Sequence, residues 1–269
     1  MIWRDLMGFI NEYKQKELIK KGNSFYIKGK YEEALNFYNK AQDLGQLNNF
    51  SVWYNKGLAF CRIKKYLDAL ECYDNAIELD SKDPKVWNSK GATYEKLGQY
   101  DKAIKCFDKA IEFDSNFDSA WNLKGYTLQK LGKYDRALES YDKALELNPN
   151  HEYTWNNKGN LYKNLDSYDK AIDCYNKAIE LNPNSTDPLF NKSIALELLD
   201  RYEEAIESIN RVLDINSNYL EAWYLKGLIL MCQEKYQKAL ESFNKALELD
   251  PTFEPPLKAK KDISDGKIE

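Results

Sequence analysis

The sequence predicts an all-helical fold built from repeated helix pairs, and three observations carry that prediction. A tryptophan returns every 34 residues, at Trp53, Trp87, Trp121 and Trp155, and again two periods later at Trp223, with Leu189 in the skipped place. Small residues keep the same step: Gly57, Gly91, Gly125, Gly159 and Gly227, with Ser193 in the remaining slot, and Ala69, Ala103, Ala137, Ala171, Ala205 and Ala239 further on. Within one period the apolar residues fall on helical faces: Trp87, Gly91 and Tyr94 recur at i, i+4 and i+7. A repeat at such a period implies an architecture in which each unit is too small to bury its own apolar faces and stacking of neighbours buries them.

Seven units are read, over 15–49, 50–83, 84–117, 118–151, 152–185, 186–219 and 220–253. The first is one residue longer, through the loop around Gly45, and carries Leu18, Gly22, Tyr31, Ala34, Tyr38 and Ala41. In the unit 84–117, Gly98 separates the helices and is suited to a left-handed C-cap. Ala103, Phe107, Ala110 and Ile111 then form the face of the second helix. Prolines in Asn148-Pro149-Asn150, Asn182-Pro183-Asn184 and Asp250-Pro251 stop the second helices, since proline lacks an N–H and clashes with the preceding turn. Glycine at position 8 and alanine at position 20 leave no bulk where paired helices cross, with the tryptophan and an aromatic at position 24 filling the space beside them. The unit 186–219 departs from this scheme, with Leu189, Ser193, Ile209 and Val212 in place of tryptophan, glycine, an aromatic and alanine.

Tryptophan at position 4, glycine at 8, tyrosine at 11, alanine at 20, an aromatic at 24, alanine at 27 and proline at 32 closely resemble the tetratricopeptide repeat, over about residues 15–253. The resemblance implies a right-handed α-α superhelix of seven repeats. It implies a C-terminal capping helix at 254–269, begun by Glu254-Pro255-Pro256. One departure is consistent: the family's leucine at position 7 is Lys21, Lys56, Lys90, Lys124, Lys158, Lys192 and Lys226. These read either as aliphatic stems with the ammonium in water or as a binding row. Residues 1–14 place Ile2, Trp3, Leu6, Phe9, Ile10 and Tyr13 roughly on one face, either a capping helix on the first repeat or a docking segment.

The resemblance also implies a peptide groove lined by positions 2, 5, 6, 9, 12 and 13 of the first helices. Asn55, Asn88, Asn122, Asn156, Asn157 and Asn191 occupy positions 5 and 6. A carboxamide both donates and accepts, so such a ladder suits an extended peptide backbone; a chain simply rich in asparagine gives the same count. Arg62, Lys96 and Lys130, all at position 13, form a basic row that favours an acidic segment or a C-terminal carboxylate. Glu95 beside Lys96 argues against it. The five-residue carboxylate clamp of the family's chaperone-binding members maps to Ile19, Asn23, Asn55, Lys85 and Ser89, where three of five residue types match. At the other end, Phe190, Ile194, Leu198, Tyr224, Leu225, Leu228 and Met231 make the groove positions apolar, either for a partner or beneath the C-terminal helix.

The function expected is a scaffold binding an extended peptide or helix of a protein partner; the alternative is a structural module that self-associates through its termini. Composition narrows the rest. With 39 basic and 43 acidic residues the net charge is −4, which lacks the basic footprint of a nucleic-acid binder. No apolar run of about 18 residues and no signal-peptide pattern occurs, so no membrane partner and a cytoplasmic location are expected. The five cysteines, Cys61, Cys72, Cys106, Cys174 and Cys232, include no CxxC pair, and His151 is the single histidine. No metal site, cofactor or catalytic residue is therefore expected, and none of the nucleotide-, zinc- or serine-hydrolase motifs is present.

Overall fold

The computed structural model describes the backbone of residues 2–44 and 49–265 and the side chains of residues 10–44 and 49–265. The described residues form fifteen helices and no strand. They divide into two compact units, Met1–Leu147 and Asn148–Glu269. The first contains α1 (Ile2–Ile27), α2 (Tyr31–Asp43), α3 (Phe50–Arg62), α4 (Tyr66–Leu79), α5 (Pro84–Lys96), α6 (Tyr100–Phe113), α7 (Asp118–Lys130) and α8 (Tyr134–Leu147). The second contains α9 (Glu152–Asn164), α10 (Tyr168–Leu181), α11 (Thr186–Glu197), α12 (Tyr202–Ile215), α13 (Leu220–Cys232), α14 (Tyr236–Leu249) and α15 (Glu254–Ser264). In each unit, odd and even helices pair within a repeat and first helices also touch the next first helix along, as α1 with α3 and α9 with α11.

Helix α1 runs without a break from Ile2 to Ile27, so residues 2–14 and the first helix of the first repeat are one element. The side chains of Ile2, Trp3, Leu6 and Phe9 lie outside the described residues, as does the loop around Gly45. At the other end, α15 sets Ala259 and Ile263 against Leu230, Phe243, Leu228 and Met231.

The glycine at position 8 has a more specific job than close backbone approach. A β-carbon on Gly57 would lie 2.4 Å from Tyr73 Cε1, and one on Gly227 would lie 2.3 Å from Phe243 Cε1. The position-24 ring takes the space a β-carbon would need, and Tyr38, Tyr73, Phe107, Tyr141, Tyr175 and Phe243 are all sealed from solvent. The repeat 186–219 swaps both partners at once: Ser193 brings a β-carbon, and Ile209 is shorter than a ring, so both are fully buried without conflict. Ser193 then returns its hydroxyl to Phe190 O at 2.7 Å.

Proline is not what ends every second helix. Asp80, Asp114, Asn148, Asn182, Asn216 and Asp250 each accept, through Oδ1, the backbone N–H two residues on, at 2.8–3.3 Å. This Asx turn offers the backbone a local alternative to the helix. It forms before Ser81, Ser115 and Ser217 as readily as before proline. Four tryptophans then clasp the turn: Nε1 of Trp87, Trp121, Trp155 and Trp223 donates to the carbonyl six residues upstream, at 2.8–3.2 Å.

The position-7 lysines do not simply end in water. Lys90 pairs with Asp74, Lys124 with Asp108 at 2.7 Å, and Lys56 donates to Gln42 at 2.5 Å. Each partner sits on the second helix of the preceding repeat. The ammonium also lies over the tryptophan of its own repeat, 4.8 Å from the ring centre for Lys56 and 4.9 Å for Lys124. The departure from leucine therefore creates a polar clip between repeats. Lys260 of α15 repeats it, donating to Asn244 at 2.6 Å.

Candidate binding surfaces on the first helices

In the first unit two cavities adjoin on the first-helix side. One, of about 230 Å³, is lined by Asn23, Tyr26, Ile27, Tyr38, Asn55 and Leu58. The other, of about 240 Å³, shares Tyr26 and Leu58 and adds Cys61, Arg62, Tyr66, Tyr73, Ser89, Ala92, Thr93 and Lys96. These residues come mainly from α1, α3 and α5.

The core braces this surface from behind. Tyr38 Oη, at the end of its buried ring, donates to Asn23 Oδ1 at 2.8 Å, and Asn55 Nδ2 donates to the same oxygen at 3.0 Å. Tyr73 Oη reaches Cys61 Sγ at 3.7 Å, and Cys61 Sγ lies 2.9 Å from Thr93 Oγ1, which donates to Ser89 O. Tyr54 Oη and Ser89 Oγ are 3.2 Å apart. Position-24 hydroxyls thus fix the polar atoms of positions 9 and 12. The same device holds Gln129 through Tyr141 and, in the second unit, Asn160 through Tyr175. Burial raises the Tyr38 hydroxyl to about 12, so it stays a neutral donor.

The asparagines fall into several settings. Asn55 is in the first cavity with its nitrogen engaged by Asn23. Asn191 Nδ2 likewise donates to Asn156 Oδ1 at 3.2 Å, tying two repeats of the second unit together. Asn122 is buried and Asn157 half-buried. The Asn88 oxygen is buried with no hydrogen-bond partner. The ladder is therefore in part a set of bonds between repeats.

Of the basic row, Arg62 and Lys96 line one cavity. Arg62 Nε donates to Tyr26 Oη at 3.3 Å, Lys96 lies 3.4 Å from Glu95, and Lys130 lies over the Tyr126 ring at 5.2 Å. Of the clamp positions, Asn23, Asn55 and Ser89 line these cavities, while Lys85 is exposed.

In the second unit the corresponding positions are apolar and largely occupied. Phe190 stacks on Tyr219 at 5.1 Å. Tyr224 packs against Phe243 at 5.9 Å and edge-on to Phe253 at 5.6 Å. Leu225 is a core residue rather than a groove residue, at 8% exposure. A cavity of about 460 Å³ remains between α13 and α15, walled by Tyr224, Leu228 and Met231 opposite Pro255, Lys258 and Ala259. The C-terminal helix covers part of this surface and leaves a slot. Sequence reasoning had no access to the tyrosine hydroxyls behind Asn23 and Asn160; a hydrogen-bonding side chain at position 9 or 12 wherever position 24 is tyrosine, as Asn23, Cys61, Gln129 and Asn160, would have been the signal.

Tetratricopeptide repeat profiles match residues 84–117, 119–151, 152–185 and 220–253, and further profiles of the same repeat match 57–98, 174–207 and 18–44. The chain belongs to the tetratricopeptide repeat family. Among solved structures it is similar to YrrB, a tetratricopeptide repeat protein with an unusual peptide-binding site. The two are 25% identical over 71% of this chain and 99% of that one, with a TM-score of 0.59. A tetratricopeptide repeat protein from Parabacteroides merdae matches at 22% identity, covering 93% of this chain and 98% of that one, TM-score 0.69. PilF of Pseudomonas aeruginosa matches at 16% identity, covering 79% and 97%, TM-score 0.69. No curated protein matches the sequence. Proteins of this family are typically non-catalytic, and this chain is in general terms a protein-interaction scaffold. No helix among the described residues is long and apolar enough to cross a membrane.

Proposed function

We propose that the chain binds an extended peptide of a protein partner along the first-helix face of its first unit. The observation that carries this reading is the pair of adjoining cavities joined through Tyr26 and Leu58. Their walls supply what an extended peptide needs. Asn55 and Ser89 offer backbone hydrogen bonds, Leu58 and Ala92 an apolar floor, and Arg62 and Lys96 a cationic rim for an acidic side chain or terminal carboxylate. Each neutral hydrogen bond contributes about 1 kcal/mol net, so several must act together. Their bracing from the core lowers the ordering cost of binding. Asn88, Asn122 and Lys130 extend the same face. In the second unit, Asn156, Asn157, Asn191, Phe190, Tyr224 and Leu228 are proposed as a separate, more apolar contact surface. Its slot between α13 and α15 suits an aliphatic or aromatic side chain.

A displayed library of random peptides, selected on the full chain, tests this. Selected peptides should be enriched in acidic residues and bind less tightly as salt rises. The exposed pair Arg62→Ala and Lys96→Ala should weaken them about tenfold. Peptides indifferent both to that double substitution and to Leu58→Glu would place the site elsewhere.

A further inference from the structure

A sizeable cavity lies away from the first-helix face. It measures about 700 Å³ and opens on the side of the second helices, between α12, α13 and α14 of the second unit. That is within the size range of ligand pockets. Its apolar lining comes from Ile206, Trp223 and Leu230, and its charged lining includes four lysines against two glutamates.

Two of those lysines are already engaged: Lys245 with Glu248 at 2.6 Å, and Lys235 with Gln233 at 3.0 Å. Of the acids, Glu203 is held by Gln233 Nε2 at 2.9 Å, and Glu241 lies on the exposed wall. Lys226 and Lys238 are left. Lys226 is the position-7 lysine, whose counterparts Lys90 and Lys124 in the first unit are clipped to aspartates. Here the clip position on α12 is Asn210, which also lines the cavity, and among the described residues Lys226 has no ion-pair partner. It lies over the Trp223 ring at 5.2 Å. Burial lowers its pKa, opposed by the negative charge of Asp214.

The same place in repeat 118–151 supplies an internal control. There a smaller cavity of about 490 Å³ is lined by Trp121, Lys124, Arg136 and Lys143 against Glu139, Asp142 and Glu146, so its charges balance. Lys124 is consumed by Asp108 at 2.7 Å. In contrast to that cavity, the one in the last repeat combines an unclipped lysine, a surplus of cations and an apolar floor.

The geometry points to a second docking site on the second-helix side of repeat 220–253. It receives an acidic segment of a protein partner, with a carboxylate on Lys226 and Lys238 and an adjacent aliphatic side chain on Ile206, Trp223 and Leu230. This site is independent of the first-helix face, and it can hold or fail whatever that face binds.

The probe is a blocked peptide of alternating glutamate and leucine, titrated into the full chain while the indole N–H signal of Trp223 is followed by NMR. Saturable movement of that signal is expected, with none from the matching lysine–leucine peptide. Asn210→Asp adds one oxygen in place of a nitrogen and recreates the clip, so it should weaken the probe about tenfold by occupying Lys226. Lys238→Glu, at an exposed position that leaves folding intact, should abolish binding. The site is overturned if the Trp223 signal stays still, or if Lys238→Glu and Asn210→Asp both bind as the parent does. It is also overturned as a protein-docking site if free glutamate at equal concentration moves the signal as far as the peptide.

Discussion

The two units use one repeat and finish it differently. In the first, the turn between paired helices carries glycine in three of four repeats, at Gly29, Gly98 and Gly132, each at positive φ of 70–75°. In the second, the same left-handed position is held by Asp166, Asp200 and Glu234, at φ of 53–59°. The first unit clips successive repeats with Lys90–Asp74 and Lys124–Asp108; the second places Asn176 and Asn210 opposite Lys192 and Lys226. Burial lowers the pKa of both these lysines. The first unit thus invests its side chains in regular packing and presents cavities with an apolar floor and a polar, cationic rim. The second tolerates strained turns and unclipped cations and keeps room for apolar contacts. A repeat array sums local terms, so such differences stay local rather than averaging out.

The contrast breaks most readily in the core. Gly159→Ser in the second unit drives a β-carbon to 2.6 Å from Tyr175 Cε1 and should cost about 1–3 kcal/mol, read as a lower denaturation midpoint. Adding Tyr175→Ile, which copies the natural Ser193–Ile209 pair, should recover part of that loss. A double substitution no better than Gly159→Ser alone would refute the size-exchange account.

A smaller effect is expected at the turns. Glu234→Gly should stabilise the second unit by up to about 1 kcal/mol by relieving the left-handed conformation. Asp166→Gly and Asp200→Gly should gain less, because those aspartates accept the hydroxyls of Tyr168 at 2.8 Å and Tyr202 at 2.6 Å. Conversely, Gly98→Glu should destabilise the first unit. Hydrogen exchange resolved by unit separates the two responses. The smallest change is at the clips: Asp108→Asn should lose about 0.5 kcal/mol, because Asp108 is half exposed and such pairs are weak. Asn210→Asp should gain a similar amount in thermal stability while closing the cavity beside Lys226.

Much of the architecture was legible in the chain because its signals are periodic. Tryptophan, glycine and alanine at a fixed step give the helix pairs and their faces, and Gly98 marks a left-handed turn that is present at φ 70°. Less of the candidate site was legible. Its asparagines could be numbered but not oriented: Asn55 leans on Asn23, Asn191 on Asn156, and Asn122 is buried. Orientation depends on neighbours one repeat away, which a single-repeat pattern does not encode. Leu225 illustrates the same gap, an apolar groove position by count that the fold turns into the core.

By itself the sequence determined the unit, its period and which residues must be small, because sterics inside one helix pair act over short separations. Tertiary structure alone decided which polar groups bond one another across the repeats. The position-7 lysine is a clip where a side chain of the preceding repeat reaches it, as at Lys90, Lys124 and Lys260, and has no such bond among the described residues at Lys226 although Asn210 stands at the matching place, because hydrogen bonding and charge pairing are settled by distance across the junction between repeats.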